Sequence, residues 1–250
     1  MSGRRSGDLF AAGDAGGIAR YELAPGAVGA VLLRGAALAR EEALAGAVAA
    51  VAAAAPFRHM ETPGGFRMSV AMTNCGRYGW VSSASGYRYA DRDPVSGAPW
   101  PALPPVMLDL AREAAAAAGF ADFTPDACLV NRYEPGARLT LHQDKDEADF
   151  TQPIVSVSLG VPATFMFGGR KRKDRVARIV LEHGDVVVLG GPSRLRYHGV
   201  AALKAAHHPF AGPNRINLTL RRARNDQPAG APGCAALPRE KRPEHARGGQ

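Results

Sequence analysis

The second half of the chain, from Gly119 onward, is a series of short β-rich segments with no helix-like segment between them. Each segment is bounded by Gly, Pro or Asp, which end strands and form turns. Strands spaced this closely leave no room for helical crossovers, so the pattern predicts antiparallel sheets of the jelly-roll type. The predicted strands are residues 127–133, 138–142, 154–159, 163–167, 176–181, 185–189 and 215–221.

The first half contains two segments of helical composition. Residues 37–55 are rich in Ala, Leu and Glu, and residues 104–118 form a second such segment that ends at Gly119. We therefore expect two helices ahead of the strands, with a loop-and-hairpin layer in residues 57–100. The working domain is predicted to span residues 21–224. Residues 1–20 and 225–250 are rich in Gly, charge and, at the second end, Pro, and they are expected to be flexible tails.

The cysteines indicate a reducing compartment. Cys75, Cys128 and Cys234 are widely spaced and form no CxxC pair, which argues against a disulfide scaffold or a thiolate zinc site. No apolar run follows the arginines near the N-terminus, and the most apolar stretch, residues 44–55, is too short for a membrane span, so neither secretion nor membrane spanning is expected. A cytoplasmic monomer without membrane attachment is the expectation.

The charge of the chain would suit a polyanionic partner. There are 31 Lys and Arg residues against 23 Asp and Glu, a net charge of +8. The densest basic cluster, residues 170–175, holds five cations and one anion. Nucleic acid is a reasonable partner for such a surface. Taken alone, a solvated hairpin loop is the simpler explanation.

A candidate metal site begins with His142 and Asp144, two residues apart at the end of a predicted strand, so that both side chains project to the same side. His198 follows another apolar strand and could supply a third ligand from the opposite sheet. Two imidazoles and one carboxylate with open positions suit iron(II) that binds a co-substrate and dioxygen. A structural, hydrogen-bonded histidine is the alternative for any single member.

The predicted strand 215–221 alternates strictly between apolar and polar residues. One face carries Ile216, Leu218 and Leu220, and the other carries Arg215, Asn217, Thr219 and Arg221. A polar face usually meets solvent. Two arginines about 20 Å apart along a strand can also bind a small dicarboxylate near a metal, because the guanidinium group matches a carboxylate with two hydrogen bonds.

The HQD triplet, the distant histidine and the RxNxTxR strand, in this order, resemble the AlkB family of nucleic-acid dealkylating dioxygenases. The resemblance extends over most of residues 30–222 and is densest in residues 62–76, 125–147, 153–160 and 181–191. It implies a mainly β (α+β) fold, a double-stranded β-helix or jelly roll with N-terminal supporting helices, in which residues 57–100 form a nucleotide-recognition lid. It also implies Fe(II) on His142, Asp144 and His198, which form the catalytic centre. The implied contacts to the co-substrate 2-oxoglutarate are Asn131, Tyr133, Arg215, Asn217 and Arg221.

The same resemblance places the damaged base between Trp80 and His142. Tyr87 would lie at the neighbouring backbone, and Asp146 and Arg172 at the pocket rim. Thr62 and Met72 complete the implied substrate contacts. A base methylated at N1 of adenine or N3 of cytosine is cationic, so an indole and a nearby carboxylate both favour it over the undamaged base. Without the resemblance, core packing would be the simpler explanation for Trp80 and Tyr87.

The implied activity is oxidative demethylation of bases such as 1-methyladenine and 3-methylcytosine, in repair of DNA alkylation damage. It consumes 2-oxoglutarate and O2 and releases formaldehyde, succinate and CO2. Single-stranded DNA is the expected partner, with RNA, and duplex DNA through base flipping, as further targets. The alternatives are a related dioxygenase acting on RNA alone, free nucleotides or protein, and a non-catalytic nucleic-acid-binding β-sandwich.

Two positions depart from the family pattern. Phe66 stands where a well-known bacterial member has a tyrosine, so a hydroxyl contact to the nucleic-acid backbone is expected to be absent. Leu189 replaces a tryptophan in the apolar run before His198, which would widen access to the iron or alter the packing. Neither residue belongs to the predicted catalytic set.

Overall fold

The computed structural model describes residues 19–225, so the predicted tails lie almost entirely outside the described residues. Both predicted helices are confirmed, as α1 (Glu41–Ala54) and α2 (Pro105–Ala117), with one 3-10 turn ahead of α1. Two glutamates in the first turn of α1 stabilise the helix by interacting with the partial positive charge at its N-terminal end. A proline, which suits the first position of a helix, begins α2. Gly119, with φ of +95°, lies just beyond the end of α2, where a left-handed residue is favourable.

Fourteen strands are formed within the described residues. They are β1 (Arg20–Glu22), β2 (Ala30–Leu33), β3 (Arg58–Glu61), β4 (Arg67–Gly76), β5 (Gly79–Ser83), β6 (Gly86–Ala90), β7 (Ala127–Tyr133), β8 (Leu139–His142), β9 (Ile154–Gly160), β10 (Ala163–Phe167), β11 (Ala177–Leu181), β12 (Val186–Leu189), β13 (His198–Val200) and β14 (Arg215–Arg221). The seven predicted strands are all present, with bounds that differ by at most one residue.

The larger sheet has eight antiparallel strands in the order β1-β2-β12-β9-β14-β7-β4-β3. β14 lies inside this sheet, between β9 and β7. Its apolar face contributes Leu218 and Leu220 to a core that also contains Met107 and Leu110 of α2. Because the helices cover this face, the opposite, polar face of β14 is turned towards the second sheet.

The second sheet has four strands in the order β11-β10-β13-β8. A second core joins it to the larger sheet, with Phe165 and Leu181 from the smaller sheet in the same cluster as Leu129 and Val187 from the larger one. Two facing antiparallel sheets with helices on one outer face form the predicted double-stranded β-helix. The jelly-roll prediction is therefore confirmed.

The prediction that both helices precede the strands was wrong. β1 and β2 come before α1, and β3 to β6 lie between the helices. β4 is a ten-residue strand that pairs with β7 in the larger sheet, with Cys75 opposite Cys128. Its last seven residues are all buried. A strand covered on both faces shows no polar alternation, so β4 lacked the periodic signal of a strand.

β5 and β6 form a separate two-stranded hairpin, in which Trp80 lies directly opposite Tyr89. The other face of the hairpin packs on Trp100, and a Cβ atom added at Gly79 would come within 2.4 Å of the Trp100 ring. Close approach of backbone and indole therefore requires glycine at this position. Among the described residues, no helix is both long and apolar enough to span a membrane.

Candidate active site

The predicted metal ligands meet at the ends of two paired strands. His142 ends β8 and lies opposite His198, which begins β13. Asp144 follows two residues after His142, and its carboxylate oxygens lie 3.5 Å from His142 Nε2 and 3.6 Å from His198 Nε2. One ligand atom from each residue lies within 4.8 Å of the others. The three side chains therefore converge as the sequence spacing predicted.

Hydrogen bonds to backbone carbonyls orient both imidazoles. His142 Nδ1 lies 2.8 Å from the Thr140 carbonyl oxygen, and His198 Nδ1 lies 3.0 Å from that of Arg196. A carbonyl only accepts, so Nδ1 carries a proton in each ring, and in the neutral tautomer Nε2 is the nitrogen with the free lone pair. This tautomer is the one that binds a metal through Nε2.

Electrostatics keep Asp144 ionised. Burial opposes ionisation, but the Arg221 guanidinium and the two histidines hold the pKa of Asp144 well below its usual range. Arg221 Nη2 donates to Asp144 at 2.6 Å. In the same centre burial opposes protonation of His142, yet the Asp144 carboxylate raises the pKa of this imidazole. Two neutral nitrogen donors and one anionic oxygen donor fit an iron(II) ion with open coordination positions.

The polar face of β14 is buried and lines the cavity beside these ligands, instead of facing solvent. Arg215, Asn217, Thr219 and Arg221 are each less than a tenth exposed. Asn217 donates to Ser156 Oγ at 2.8 Å and accepts from Thr219 Oγ1 at 3.0 Å. Alternation along β14 thus separates a face that packs in the core from a face that lines the cavity.

Arg215 is 1% exposed, and only part of its hydrogen-bonding capacity is used. Its Nη2 donates to Ser158 Oγ at 2.9 Å, whereas Nε and Nη1 have no hydrogen-bond partner within the described residues. The guanidinium lies 5.0 Å from the ring centre of Tyr133. Asn131 Oδ1 is likewise buried without a partner there. Unpaired buried cations are costly, so Arg215 Nε and Nη1 fit an anionic ligand such as a carboxylate group of 2-oxoglutarate, whereas Asn131 Oδ1 is an acceptor and fits a hydrogen-bond donor.

One cavity of about 960 Å³ contains all of these groups. Every residue predicted for the metal, for 2-oxoglutarate or for the base lines it. The lining residues predicted for the base are Thr62, Met72, Trp80, Tyr87, Asp146 and Arg172. The structure therefore brings the whole predicted set together in one cavity.

At the cavity mouth, Trp80 Nε1 donates to Asp146 at 2.8 Å. Its indole stacks on Tyr87, with ring centres 5.3 Å apart and planes inclined by 17°. Tyr87 is 46% exposed, so one side of this aromatic pair meets solvent. Arg172 donates to the Leu141 carbonyl at 2.7 Å, which places this basic residue beside the strand that ends in His142.

The two departures from the family pattern also lie along this cavity. Phe66 is 76% exposed at the turn between β3 and β4, whereas Leu189 is buried in the inner wall. Sequence reasoning missed the serines of β9 that support β14, Ser156 and Ser158. Their spacing of two residues in an otherwise apolar strand was the available signal.

An oxygenase that binds iron(II) together with a dicarboxylate co-substrate needs this arrangement of residues. Residues 29–221 match the sequence profile of the 2OG-Fe(II) oxygenase superfamily. The chain is thus an iron(II)- and 2-oxoglutarate-dependent dioxygenase, with O2 as the second co-substrate. This result excludes the alternative of a non-catalytic β-sandwich.

Comparison with individual proteins identifies the family within this superfamily to which the chain belongs. The chain is 59% identical to "Alpha-ketoglutarate-dependent dioxygenase AlkB" of Salmonella typhimurium over 199 residues, 80% of this chain and 92% of the relative. Alpha-ketoglutarate is another name for 2-oxoglutarate. It is 32% identical to human "Nucleic acid dioxygenase ALKBH1" over 121 residues, 48% of this chain and 31% of the relative. The solved structure of OsALKBH1 superposes with a TM-score of 0.71 at 30% identity, covering 82% of this chain and 100% of that one. The chain belongs to the AlkB family and is close to the bacterial AlkB proteins.

Proposed function

We propose that this enzyme removes alkyl groups from N-alkylated bases, such as 1-methyladenine and 3-methylcytosine, in single-stranded DNA. The observation that carries the proposal is an aromatic and acidic cavity mouth, Trp80 bonded to Asp146, above the His142, Asp144 and His198 centre. The human relative's name, nucleic acid dioxygenase, supports the same class of substrate.

The cavity mouth favours a cationic base. An indole face attracts cations, and the Asp146 carboxylate beside it adds a negative charge at the rim. Alkylation at N1 of adenine or N3 of cytosine gives the base a positive charge that the undamaged base lacks. Discrimination would therefore depend on charge more than on shape.

His142, Asp144 and His198 would hold the iron, and Arg215 with Tyr133 would bind one carboxylate of 2-oxoglutarate. Arg221, Asn131 and Asn217 would contact the rest of that molecule. When bound, iron with 2-oxoglutarate and O2 supplies the oxidation that hydroxylates the alkyl carbon and yields succinate and CO2. The hydroxylated methyl group then leaves the base nitrogen as formaldehyde. The protein positions the alkyl carbon and excludes water.

Single strands would be better substrates than duplexes. N1 of adenine and N3 of cytosine lie on the pairing edge, so a base must be unpaired or flipped to enter the cavity. The exposed cations at 170–173 include Arg172, which lines the cavity, and they would attract the phosphate backbone. We further propose that the enzyme acts as a cytoplasmic monomer, in keeping with the free thiols of Cys75 and Cys128.

The test is formaldehyde release from a single-stranded oligonucleotide that carries one 1-methyladenine, in air, with and without iron(II) and 2-oxoglutarate. An unmethylated oligonucleotide of the same sequence is the control. Release that requires both additions supports the proposal. If succinate forms but neither methylated DNA nor methylated RNA releases formaldehyde, the proposed substrate is wrong, while the assignment of the protein as a dioxygenase stands.

A further inference from the structure

The loop that follows Asp144 carries a buried carboxylate with no part in the site described above. Glu147 is 6% exposed and accepts hydrogen bonds from Tyr89 Oη at 2.6 Å and from Arg194 Nη2 at 3.0 Å. Arg221 Nε lies 3.4 Å from the same carboxylate. Three side chains from distant parts of the sequence therefore converge on Glu147.

Glu147, Tyr89 and Arg194 are not among the residues that line the cavity. They cannot contact a ligand there, and any influence on ligand binding must pass through a neighbour. That neighbour is Arg221, which lines the cavity, donates to Asp144 at 2.6 Å and lies 3.4 Å from the Tyr89 hydroxyl. Glu147 thus lies directly behind the arginine that faces the metal ligand.

The charges in this network balance. Asp144 and Glu147 supply two carboxylates, and Arg194 and Arg221 supply two guanidinium groups. Arg194 also donates to the backbone carbonyl of Asp144 at 2.8 Å, which fixes the main chain at the metal ligand. Buried ions persist only when they are paired and hydrogen-bonded, so each member restricts the geometry of the others.

The network also reaches the β5–β6 hairpin. Tyr89 lies opposite Trp80 across this hairpin, and the two side chains donate to consecutive acidic residues, Glu147 and Asp146. Burial raises the pKa of Tyr89 well above its ordinary value, so its hydroxyl group keeps the proton that it donates. The hairpin is therefore bound to the loop of the metal ligand by one buried and one solvent-facing hydrogen bond.

We propose that Glu147 and Tyr89 are positioning residues: Glu147 holds Arg221 in the orientation that binds 2-oxoglutarate, and Tyr89 ties that orientation to the hairpin carrying Trp80. The part of this inference that concerns the hairpin rests on the proposed function. Loss of the Tyr89 hydroxyl, remote from every ligand, then weakens 2-oxoglutarate binding and loosens the hairpin at the same time.

The first test is calorimetric titration of 2-oxoglutarate into the Mn(II)-loaded protein, since manganese occupies such sites without supporting turnover. The variant is Tyr89→Phe, which removes one hydroxyl group, and the matched control is Tyr21→Phe on β1, where the side chain is 43% exposed. We expect the dissociation constant to rise about five- to tenfold in Tyr89→Phe, from loss of one charge-assisted hydrogen bond, and to stay within about twofold in the control. A Tyr89→Phe protein with lower thermal stability and unchanged 2-oxoglutarate affinity would show a merely structural role and overturn the proposal.

Glu147→Gln provides a second variant, for which we expect the same weakening of 2-oxoglutarate binding. If this variant fails to fold, the result for Tyr89→Phe alone decides whether the network positions Arg221.

The second test concerns the link to the hairpin and compares the amounts of succinate and formaldehyde formed during turnover of the methylated oligonucleotide. We expect at least twofold more succinate per formaldehyde in Tyr89→Phe than in the wild type, and an unchanged ratio would refute the link to the hairpin. If the wild type releases no formaldehyde, the proposed function fails, while the calorimetric arm still decides the role of the network.

Discussion

His142 is the metal ligand that can be removed with least damage to the rest of the protein. Its side chain is 32% exposed, whereas that of Asp144 is 10% exposed and pairs with Arg221. Loss of Asp144 would remove the shorter of the two ion pairs of the buried Arg221, and breaking a buried ion pair costs about 3–5 kcal/mol. A clean test of the metal centre therefore uses the histidine.

We expect His142→Ala to abolish both succinate and formaldehyde formation, because two ligands hold iron(II) too weakly. The midpoint of thermal unfolding without metal should change little. Both are measured beside His207→Ala, an exposed histidine outside the cavity, as the control. Turnover in His142→Ala comparable to that of the control would refute the assignment of this ligand.

Replacement of Trp80 should affect binding of the methylated base more than the oxidation of 2-oxoglutarate. We expect Trp80→Ala to reduce formaldehyde release from methylated DNA roughly 10- to 100-fold, since base stacking contributes about 1–3 kcal/mol. Succinate formation without nucleic acid should fall much less. Trp80→Phe keeps an aromatic face and should lose less activity than the alanine variant. Equal loss of both products in Trp80→Ala would mean that this tryptophan is structural.

At the residue scale, the sequence predicted the residues that line the cavity better than the groups behind them. His142, Asp144 and the β14 arginines follow short spacing rules along single strands, and their convergence is confirmed. Glu147 and Arg194 were not predicted, because 47 residues separate them and only the folded chain brings them together. Tertiary ion pairs leave no periodic signal in a sequence.

Among the elements, the β5–β6 hairpin depends on a glycine. A methyl group at Gly79 would meet the Trp100 ring at 2.4 Å, well inside contact distance. We expect Gly79→Ala to lower the free energy of unfolding by about 1–3 kcal/mol, as overpacking does. It should also impair demethylation more than succinate formation, because the displaced hairpin carries Trp80. Denaturant unfolding and the two product assays measure these effects.

Gly86 in the same hairpin offers the contrast. It has φ of +112° but no atom within 4 Å of an added Cβ, so Gly86→Ala tests backbone strain without collision. A demethylation defect of equal size in both variants would contradict a specific role for the Gly79 contact with Trp100.

Element prediction succeeded where strands have a polar face or clear turn residues, as in β7, β10 and β14. It failed for β4, which is buried on both sides, and for the three-residue strands β1 and β13. Such short strands are stabilised by their neighbours in the sheet, so their own residues carry little preference. Long-range pairing therefore determined what local sequence could not.

For the whole molecule, ligand binding should increase the free energy of unfolding. Mn(II) and 2-oxoglutarate, each at about 100 times its dissociation constant, should each add about 2.7 kcal/mol to the free energy of unfolding. For a domain of this size, each ligand should raise the midpoint of thermal unfolding by about 5–10 °C. Scanning fluorimetry with each ligand alone and with both provides the measurement.

Arg215→Met is the control for this shift. It replaces the guanidinium group that has free donors in the cavity and should remove most of the increase due to 2-oxoglutarate, while the increase due to Mn(II) alone remains. The same 2-oxoglutarate increase in Arg215→Met and wild type would contradict the proposed carboxylate contact.

The strand that supplies His142 lies at the edge of the four-stranded sheet, where β8 has β13 as its neighbour. An edge strand opens with less free energy than an interior one, so amide hydrogens of β8 should exchange with solvent faster than those of β14 in the metal-free protein. Metal bridging His142 to His198 would slow that exchange. Iron in this enzyme would thus stabilise an edge strand, and faster deuterium uptake in β8, with the interior strand β14 still protected, would report loss of the metal.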